Sequence, residues 1–456
     1  MKKYIPLFVF PILAVFLSLF LFLSNRPIEN KTAKSIDTDD TYCKQKDVSE
    51  RAKCLFNIDK IEKLELTSKE PLDLTYHKSN KGIEVSLDGN SLPTAKLKTR
   101  GNTTYQAGTI YGAYNYKLTF EEPVNLYNFG TNKKWVLLPN LIDRSYFRQF
   151  YFSNLGQLIM SDFWSPQMKY IELYINEEYK GLYLLSESIE EDENRLNSPE
   201  YIVQMEQGRL WRLEKGSDKD YFQIDDKSLS CNIDPTAKDI EPTNTMYTLE
   251  YPDSFEKAGE EKANMIKSEI NDLVNNARDG KPLDKLNLDL DSAVNFYLFD
   301  ELFYNSGFGS SSVYFYRPED SKIVLGPLWD FDQLALQDYP ENFNRPITCD
   351  NNLYRYLLKY PEFRDKLKEK LTWFKDNLSE LSLNIIEEMR NNEILKTAVE
   401  KNENLYHTWE NPMKDLSVWQ NDKIWRLKNW DEHLDYIKRF MDGRVDWLLE
   451  HFDDLK

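Results

Sequence analysis

Apolar and polar side chains alternate along the segments KLELTS, GIEVSLDG, AKLKTRG and NYKLTFEE, which predicts a run of strands between residues 64 and 125. The spacing then lengthens. From Asp143 onward Phe147, Tyr151, Leu155 and Leu158 fall on one helical face, with Asp143 as the cap. Period two returns in KYIELYI and LYLLSES, joined by a turn at NEEYKG, so Ile171, Leu173 and Ile175 are expected in the core. Asn176 and Gly181 suit the left-handed geometry of that turn. Residues 191–260 are charged and irregular, with candidate strands at YIVQME and MYTLEY. Helices are predicted over 256–276 and 289–304, the second with Leu290, Val294, Leu298 and Leu302 on one face. Two strands, SVYFYRP and KIVLGP, follow, and 351–454 reads as helical throughout. Strands first and helices last argue an α+β fold rather than a doubly wound sheet.

The first residues change the picture. MKKY precedes nineteen uncharged, mostly apolar residues, Ile5 to Leu23, close to the length that crosses a bilayer. Lys2 and Lys3 favour a cytoplasmic N-terminus, and no small-x-small cleavage site follows. The reading is a cytoplasmic n-region (1–4), a transmembrane signal anchor (5–23) and a membrane-proximal linker (24–63). The linker leads to a core over 64–350 and a helical C-terminal part of the same domain over 351–456, all extracytoplasmic on the cell membrane. A cleaved signal peptide is the alternative. The 456 residues, 41% apolar with ten Trp, 28 Tyr and 25 Phe, suffice for a substantial core. A net charge of -18 without a long basic block disfavours a general duplex-DNA surface, so no nucleic-acid partner is expected. A local basic cleft is compatible with that balance. Cys43, Cys54, Cys231 and Cys349 allow three pairings, and the four histidines show no zinc-ligand spacing.

The chemistry concentrates in GPLWDFDQ, residues 326–333, where Asp330 and Asp332 flank a phenylalanine after a short apolar strand. Two carboxylates so placed suit a hard cation, or else a solvated turn. Familiar signatures are absent: there is no Walker A sequence, HRD, DFG, GxSxG, HExxH or EF-hand loop. GFGSSS (307–312) follows a helix and has no trailing lysine, which is not the context of a phosphate-cradling loop.

Read in order, several blocks resemble the spore-coat protein H (CotH) kinase-like family, an atypical branch of the protein-kinase-like folds. They are KLKTRGNTTY (96–105), NYKLTF (115–120), WVLLPNLIDRSYFRQ (135–149) and ELYINEEYKGLYLLSESI (172–189). LEYPD (249–253), DELFYN (300–305), SVYFY, GPLWDFDQ, KYPEFR (359–364) and FMDGRVDWL (440–448) complete the series, so the likeness spans roughly 65 to 452. It implies ATP, Mg²⁺ and transfer of phosphate to serine on a cell-envelope or coat protein. Asp330 and Asp332 are then the metal ligands, with Asn305 on metal or phosphate. Arg100 and Lys117 face nucleotide phosphate, unless they are edge-strand surface residues. Arg148 pairs with Glu187 or with phosphate, or forms a structural salt bridge, and Glu187 takes the kinase glutamate-to-lysine role. Trp329, like Trp135 and Tyr183, forms core or a wall against adenine. One departure matters. Family members carry an aspartate two residues after the asparagine that ends the helix, as candidate base, and here Gly307 stands there. A catalytically impaired, pseudokinase-type binding or assembly protein is therefore the alternative to a kinase.

Overall fold

The computed structural model describes residues 34–35, 43, 47–101, 103–197, 199–207, 220–228, 243–305, 311–332, 334–335, 352–412 and 422–455. Its N-terminal half is a closed barrel. The strands are β1 (Lys34–Ser35), β2 (Glu62–Thr67), β3 (Ser79–Leu87), β4 (Asn90–Thr99), β5 (Tyr116–Asn125), β6 (Thr131–Leu138), β7 (Met168–Ile175) and β8 (Glu178–Glu187). They pair in the order β1-β5-β4-β3-β2-β7-β8-β6, and an added β5–β6 pairing closes β2 to β8 into a ring. Closure removes sheet edges. All neighbours in the ring are antiparallel except β2 and β7, which run parallel from Glu62↔Ile171 to Leu66↔Ile175. Alternation decides what fills it: Leu64, Leu66, Leu97, Leu118, Phe120 and Leu173 are buried while their strand neighbours face outward.

A second sheet, β9 (Pro199–Gln207), β10 (Tyr221–Ser228), β11 (Thr243–Tyr251), β12 (Ser311–Pro318) and β13 (Val324–Leu325), runs in the order β10-β11-β9-β12-β13. The helices described are α1 (Val48–Leu55), α2 (Thr103–Tyr111), α3 (Arg148–Ile159), α4 (Phe255–Ala258), α5 (Glu260–Arg278), α6 (Leu290–Phe303), α7 (Asn352–Leu357), α8 (Pro361–Phe374), α9 (Glu380–Arg390), α10 (Glu393–Tyr406), α11 (Asp422–Trp425) and α12 (Trp430–Glu450). The α+β reading therefore holds, with a β-rich N-terminal part and a helical C-terminal part. One core cluster runs from Cys43 to Leu455 and joins the two parts.

Helix α6 is the axis of the molecule. Every side chain from Ser292 to Phe303 is buried, and Asp289 caps it by accepting from Ser292 N at 2.8 Å. Helix α3 is equally enclosed, and a Cβ on Gly156 would meet Leu328 Cδ1 at 2.3 Å, so only glycine lets α3 lie this close to the strand-end segment. Gly181 differs from its predicted turn role. It lies within β8 at φ +109°, and Asn402 Oδ1 and Tyr406 Cε2 stand 2.5 and 2.8 Å from where a Cβ would be. Asn402 Oδ1 accepts from Leu182 N at 2.7 Å and so docks α10 on the barrel. The hairpin turn itself is Asn176–Glu177, both at positive φ.

Several expectations are corrected. The helix predicted from Asp143 begins at Arg148, because Asp143 turns back to accept from the backbone N–H groups of Ser145, Phe147 and Arg148 and holds the intervening residues in a turn. The helix predicted over 256–276 is broken at Gly259 into α4 and α5. Part of the predicted linker is structured, since α1 buries Ala52 and Leu55 and a disulfide joins Cys43 to Cys54; Cys231 and Cys349 lie outside the described residues. The transmembrane anchor is also corrected: among the described residues no helix is long and apolar enough to cross a membrane. Residues 5–23 lie outside the described residues. The longest described helix, α12, is amphipathic, with Asp431, Glu432 and Asp435 opposite buried Leu434, Ile437 and Phe440. The single-pass topology, the membrane as partner and the membrane localisation rest on that span alone and are corrected with it.

Candidate functional site

Strand alternation assembles the cationic wall. Lys98 of β4 is the Cα partner of Lys117 on β5. Arg100 N donates to Asn115 O at 2.9 Å, extending the ladder one step, so period two places Arg100 on the face of Lys98 and Lys117. All three are half-buried. Like charges directly opposite each other on a sheet repel. Such a pair is tolerated where an anion or carboxylate stands over it, and Lys117 and Lys134 both help hold the Asp253 carboxyl below its usual range, after the larger effect of the Lys257 hydrogen bond.

The opposing wall comes from the second sheet and the segment beyond β13. The Arg100 guanidinium lies 5.3 Å from the centre of the Trp329 ring, a cation–π contact. Burial among its neighbours lowers the Arg100 pKa, while Tyr314, Asp330 and Glu250 act in the opposite sense. Asp330 sits at φ +73° and accepts from Ser312 Oγ at 3.0 Å; Ser312 too has positive φ. Two non-glycine residues in left-handed conformations facing each other are a local strain that surrounding structure must hold.

That surrounding structure is α3. Phe331 N, between the two aspartates, donates to Gln149 Oε1 at 2.7 Å. Arg148 Nε donates to Leu334 O at 3.0 Å, and its Nη1 pairs with Asp143 Oδ1 at 2.9 Å. Ala335 N donates to Phe303 O at 2.9 Å, and the Phe331 and Phe299 rings lie 4.7 Å apart. The segment carrying Asp330 and Asp332 is thus clamped between α3 and the last turns of α6. Both carboxylates are half-buried.

Asn305 stands just past α6. The helix ends on Tyr304 in the left-handed region (φ +51°), and Asn305 folds back so that its Nδ2 donates to Asp300 Oδ1 at 2.7 Å. Tyr354 hydroxyl donates to Asp300 Oδ2 at 2.8 Å. Burial pushes the Asp300 carboxyl up to about 7, although both of these hydrogen bonds oppose the shift. Asn305 Oδ1 is buried and has no hydrogen-bond partner among the described residues. Next door, Arg444 Nη2 pairs with Glu301 Oε1 at 2.7 Å in a fully buried bridge.

The predicted site residues therefore divide. Arg100, Trp329 and Asp330 meet, Lys117 shares the Arg100 face, Asp332 lies on the segment that α3 and α6 clamp, and Asn305 stands against Asp300 at the end of α6. Arg148 and Glu187 do not meet. Arg148 is enclosed with Asp143, and Glu187, at the end of β8, pairs with Arg195, which lies 4.9 Å over the Trp135 ring. Gln167 N also donates to Glu187 at 2.8 Å. Burial nevertheless raises the Glu187 carboxyl to about 7. Gly307 lies outside the described residues. Lys98, Ser312 and Tyr314 were not singled out from sequence. The alternation Lys96-x-Lys98-x-Arg100 did carry a signal, since it puts three cations on one strand face.

Among the described residues no group of three or more His, Cys, Asp or Glu is arranged to hold a metal. Two carboxylates on one segment, the first of them acting on the Arg100 guanidinium, instead suit a hard cation that keeps waters and takes phosphate oxygens. The model of the CotH kinase protein family matches residues 97–448, most of the chain, which therefore belongs to that family. A search of curated proteins returns no match.

Proposed function

We propose that this member of the CotH kinase family is an atypical protein kinase, binding ATP with Mg²⁺ and passing phosphate to serine on a protein. The barrel followed by helices is read accordingly as an atypical kinase-like arrangement, one domain over 64–456. The observation that carries the reading is the stacking of Arg100 on Trp329 beside Asp330, on the strand face that Lys98 and Lys117 share. Mg–ATP supplies the transferable phosphoryl group and a cation that neutralises its oxygens. Arg100, Lys98 and Lys117 bind phosphate charge, and Trp329 gives the nucleotide an aromatic wall. Asp330, oriented by Ser312, holds the metal with Asp332, and Asn305 offers an amide oxygen. Arg148, Gln149 and Glu187 act from within the walls: the first two fix the Asp330 segment, and Glu187 ties the end of β8 to Arg195.

A second reading, a pseudokinase-type binding or assembly protein, is favoured by Gly307, which has no carboxylate to orient a serine hydroxyl. Calorimetry of the full chain with ATP and Mg²⁺ tests both. Metal-dependent binding lost in Asp330→Ala and weakened at least tenfold in Arg100→Ala supports the site. Phosphate transfer to a serine-containing protein then separates kinase from binding module. A folded protein that takes up no nucleotide refutes the kinase reading.

A further inference from the structure

The amide of Asn305 has two ends, and only one of them is useful to a cation. Its Nδ2 is a donor, which a cation repels, and its Oδ1 is an acceptor of the kind hard cations bind. An asparagine free to rotate offers either end. In this chain one neighbour removes the choice. Asp300 Oδ1 accepts from Asn305 Nδ2 at 2.7 Å, and its Oδ2 accepts from the Tyr354 hydroxyl, so both carboxyl oxygens are engaged as acceptors and neither serves the amide oxygen. The amide is planar, so its oxygen is turned away from Asp300, where it is buried without a partner among the described residues.

The orienting carboxylate is itself held. Tyr354 hydroxyl occupies its other oxygen at 2.8 Å, and the main chain repeats the tie, with Asn305 N donating to Asp300 O at 2.9 Å. Tyr354 is buried and its ring packs edge-on against Tyr297 at 4.9 Å, so the donor comes from a fixed wall. A buried carbonyl oxygen left unpartnered costs about 1–3 kcal/mol. Three hydrogen bonds here maintain that unfavourable state, as expected where a ligand completes the oxygen's coordination.

We infer that Asp300, braced by Tyr354, is a positioning residue that locks the Asn305 amide with its oxygen presented as a ligand for a divalent cation. The inference rests on the metal-nucleotide reading of the site, and its failure is separable from that of the reading.

The test measures Mn²⁺ affinity of the full chain in the presence of ATP, by electron paramagnetic resonance at pH 8. Outer residues that orient a metal ligand typically contribute about 10- to 100-fold to metal affinity. Asp300→Asn, which lets the Asn305 amide turn over, is expected to weaken Mn²⁺ binding by about tenfold or more, and Tyr354→Phe by less. Asn305→Asp placed on Asp300→Asn supplies oxygen at both ends of residue 305, so orientation no longer matters and affinity returns to near wild type. A purely structural role for Asp300 gives no such rescue. Circular dichroism shows whether each variant is folded. Loss of Mn²⁺ binding in Asp330→Ala with wild-type affinity in Asp300→Asn overturns the positioning role alone. Failure of the double variant to recover also overturns it. A wild-type chain that binds no Mn²⁺, or an Asp330→Ala chain that binds it normally, overturns the site reading and this inference with it.

Discussion

Replacing Arg148 by methionine tests how the Asp330 segment is held. The guanidinium is 1% exposed and its partner Asp143 is 0% exposed, so the pair is shielded from solvent. Breaking a buried pair by removing one member costs about 3–5 kcal/mol, because the remaining charge is left uncompensated. Here Asp143 keeps other donors: Ser145 Oγ at 2.6 Å and the N–H groups of Ser145 and Arg148 at 3.0 and 2.8 Å. Arg148 Nη2 is also buried without a partner among the described residues, so its removal relieves a desolvation cost. Both points place the loss at the low end, about 3 kcal/mol. With a urea slope of about 3 kcal/mol per molar, the unfolding midpoint falls by about 1 M. Arg148→Met with Asp143→Asn closes a double-mutant cycle, and the two losses should be less than additive because they share one interaction. Because Arg148 Nε also holds Leu334 O, ATP and Mg²⁺ affinity should weaken in a residue that touches neither. A midpoint shift below about 0.3 M, or fully additive losses, would refute the reasoning.

Three further outcomes follow from the geometry. Burial holds the Asp300 proton up to about 7 in the folded chain against 3.8 in the open one, so the folded state binds more protons between those values. Stability from this group is therefore full below about pH 4 and falls as pH rises through about 7, by up to about 1.4 kcal/mol per unit, and urea midpoints of Asp300→Asn should show a flatter slope across that window. Gly181→Ala forces a Cβ toward Asn402 Oδ1 and Tyr406 Cε2 at positive φ, and a thermal melt should show about 1–3 kcal/mol lost; an unchanged melt would mean α10 does not dock on β8 as described. Replacing Cys43 and Cys54 by serine opens a loop spanning eleven positions, and denaturant unfolding should report about 2–3 kcal/mol lost. Mass spectrometry finding both thiols free in the native protein would exclude that pairing.

Much of the barrel was legible because a two-residue period states which face of a strand is buried without reference to any partner. Leu64, Leu66, Leu97, Leu118 and Phe120 all stand inside, as KLELTS, AKLKTRG and NYKLTFEE imply. Strand β10 and helix α2 were not, because neither YFQIDDKS nor TTYQAGTIY has a clear face of its own. Helix α6 was found by its apolar stripe, yet its complete burial was hidden, since the polar residues Asn295, Asp300 and Glu301 lie around the helix and Asp300 and Glu301 gain their partners Tyr354 and Arg444 only from elsewhere in the chain. The start of α3 was misplaced for a related reason. A capping aspartate reads the same whether it begins a helix or, as Asp143 does, gathers a turn ahead of one.

The candidate site divides along the same line. Sequence by itself determined which carboxylates and cations were available, because Asp330-x-Asp332, Lys117 and Arg100 are local patterns of charge and alternation. It also determined the family, through the order of its blocks. Pairing was decided only by the tertiary structure. Arg100 and Trp329 are more than two hundred residues apart, and only the closing of the barrel against the second sheet brings Arg100 onto its ring. Arg148 and Glu187 likewise found Asp143 and Arg195 rather than each other. A buried charge takes the partner that packing places within reach, and reach is a property of the folded chain rather than of spacing along it.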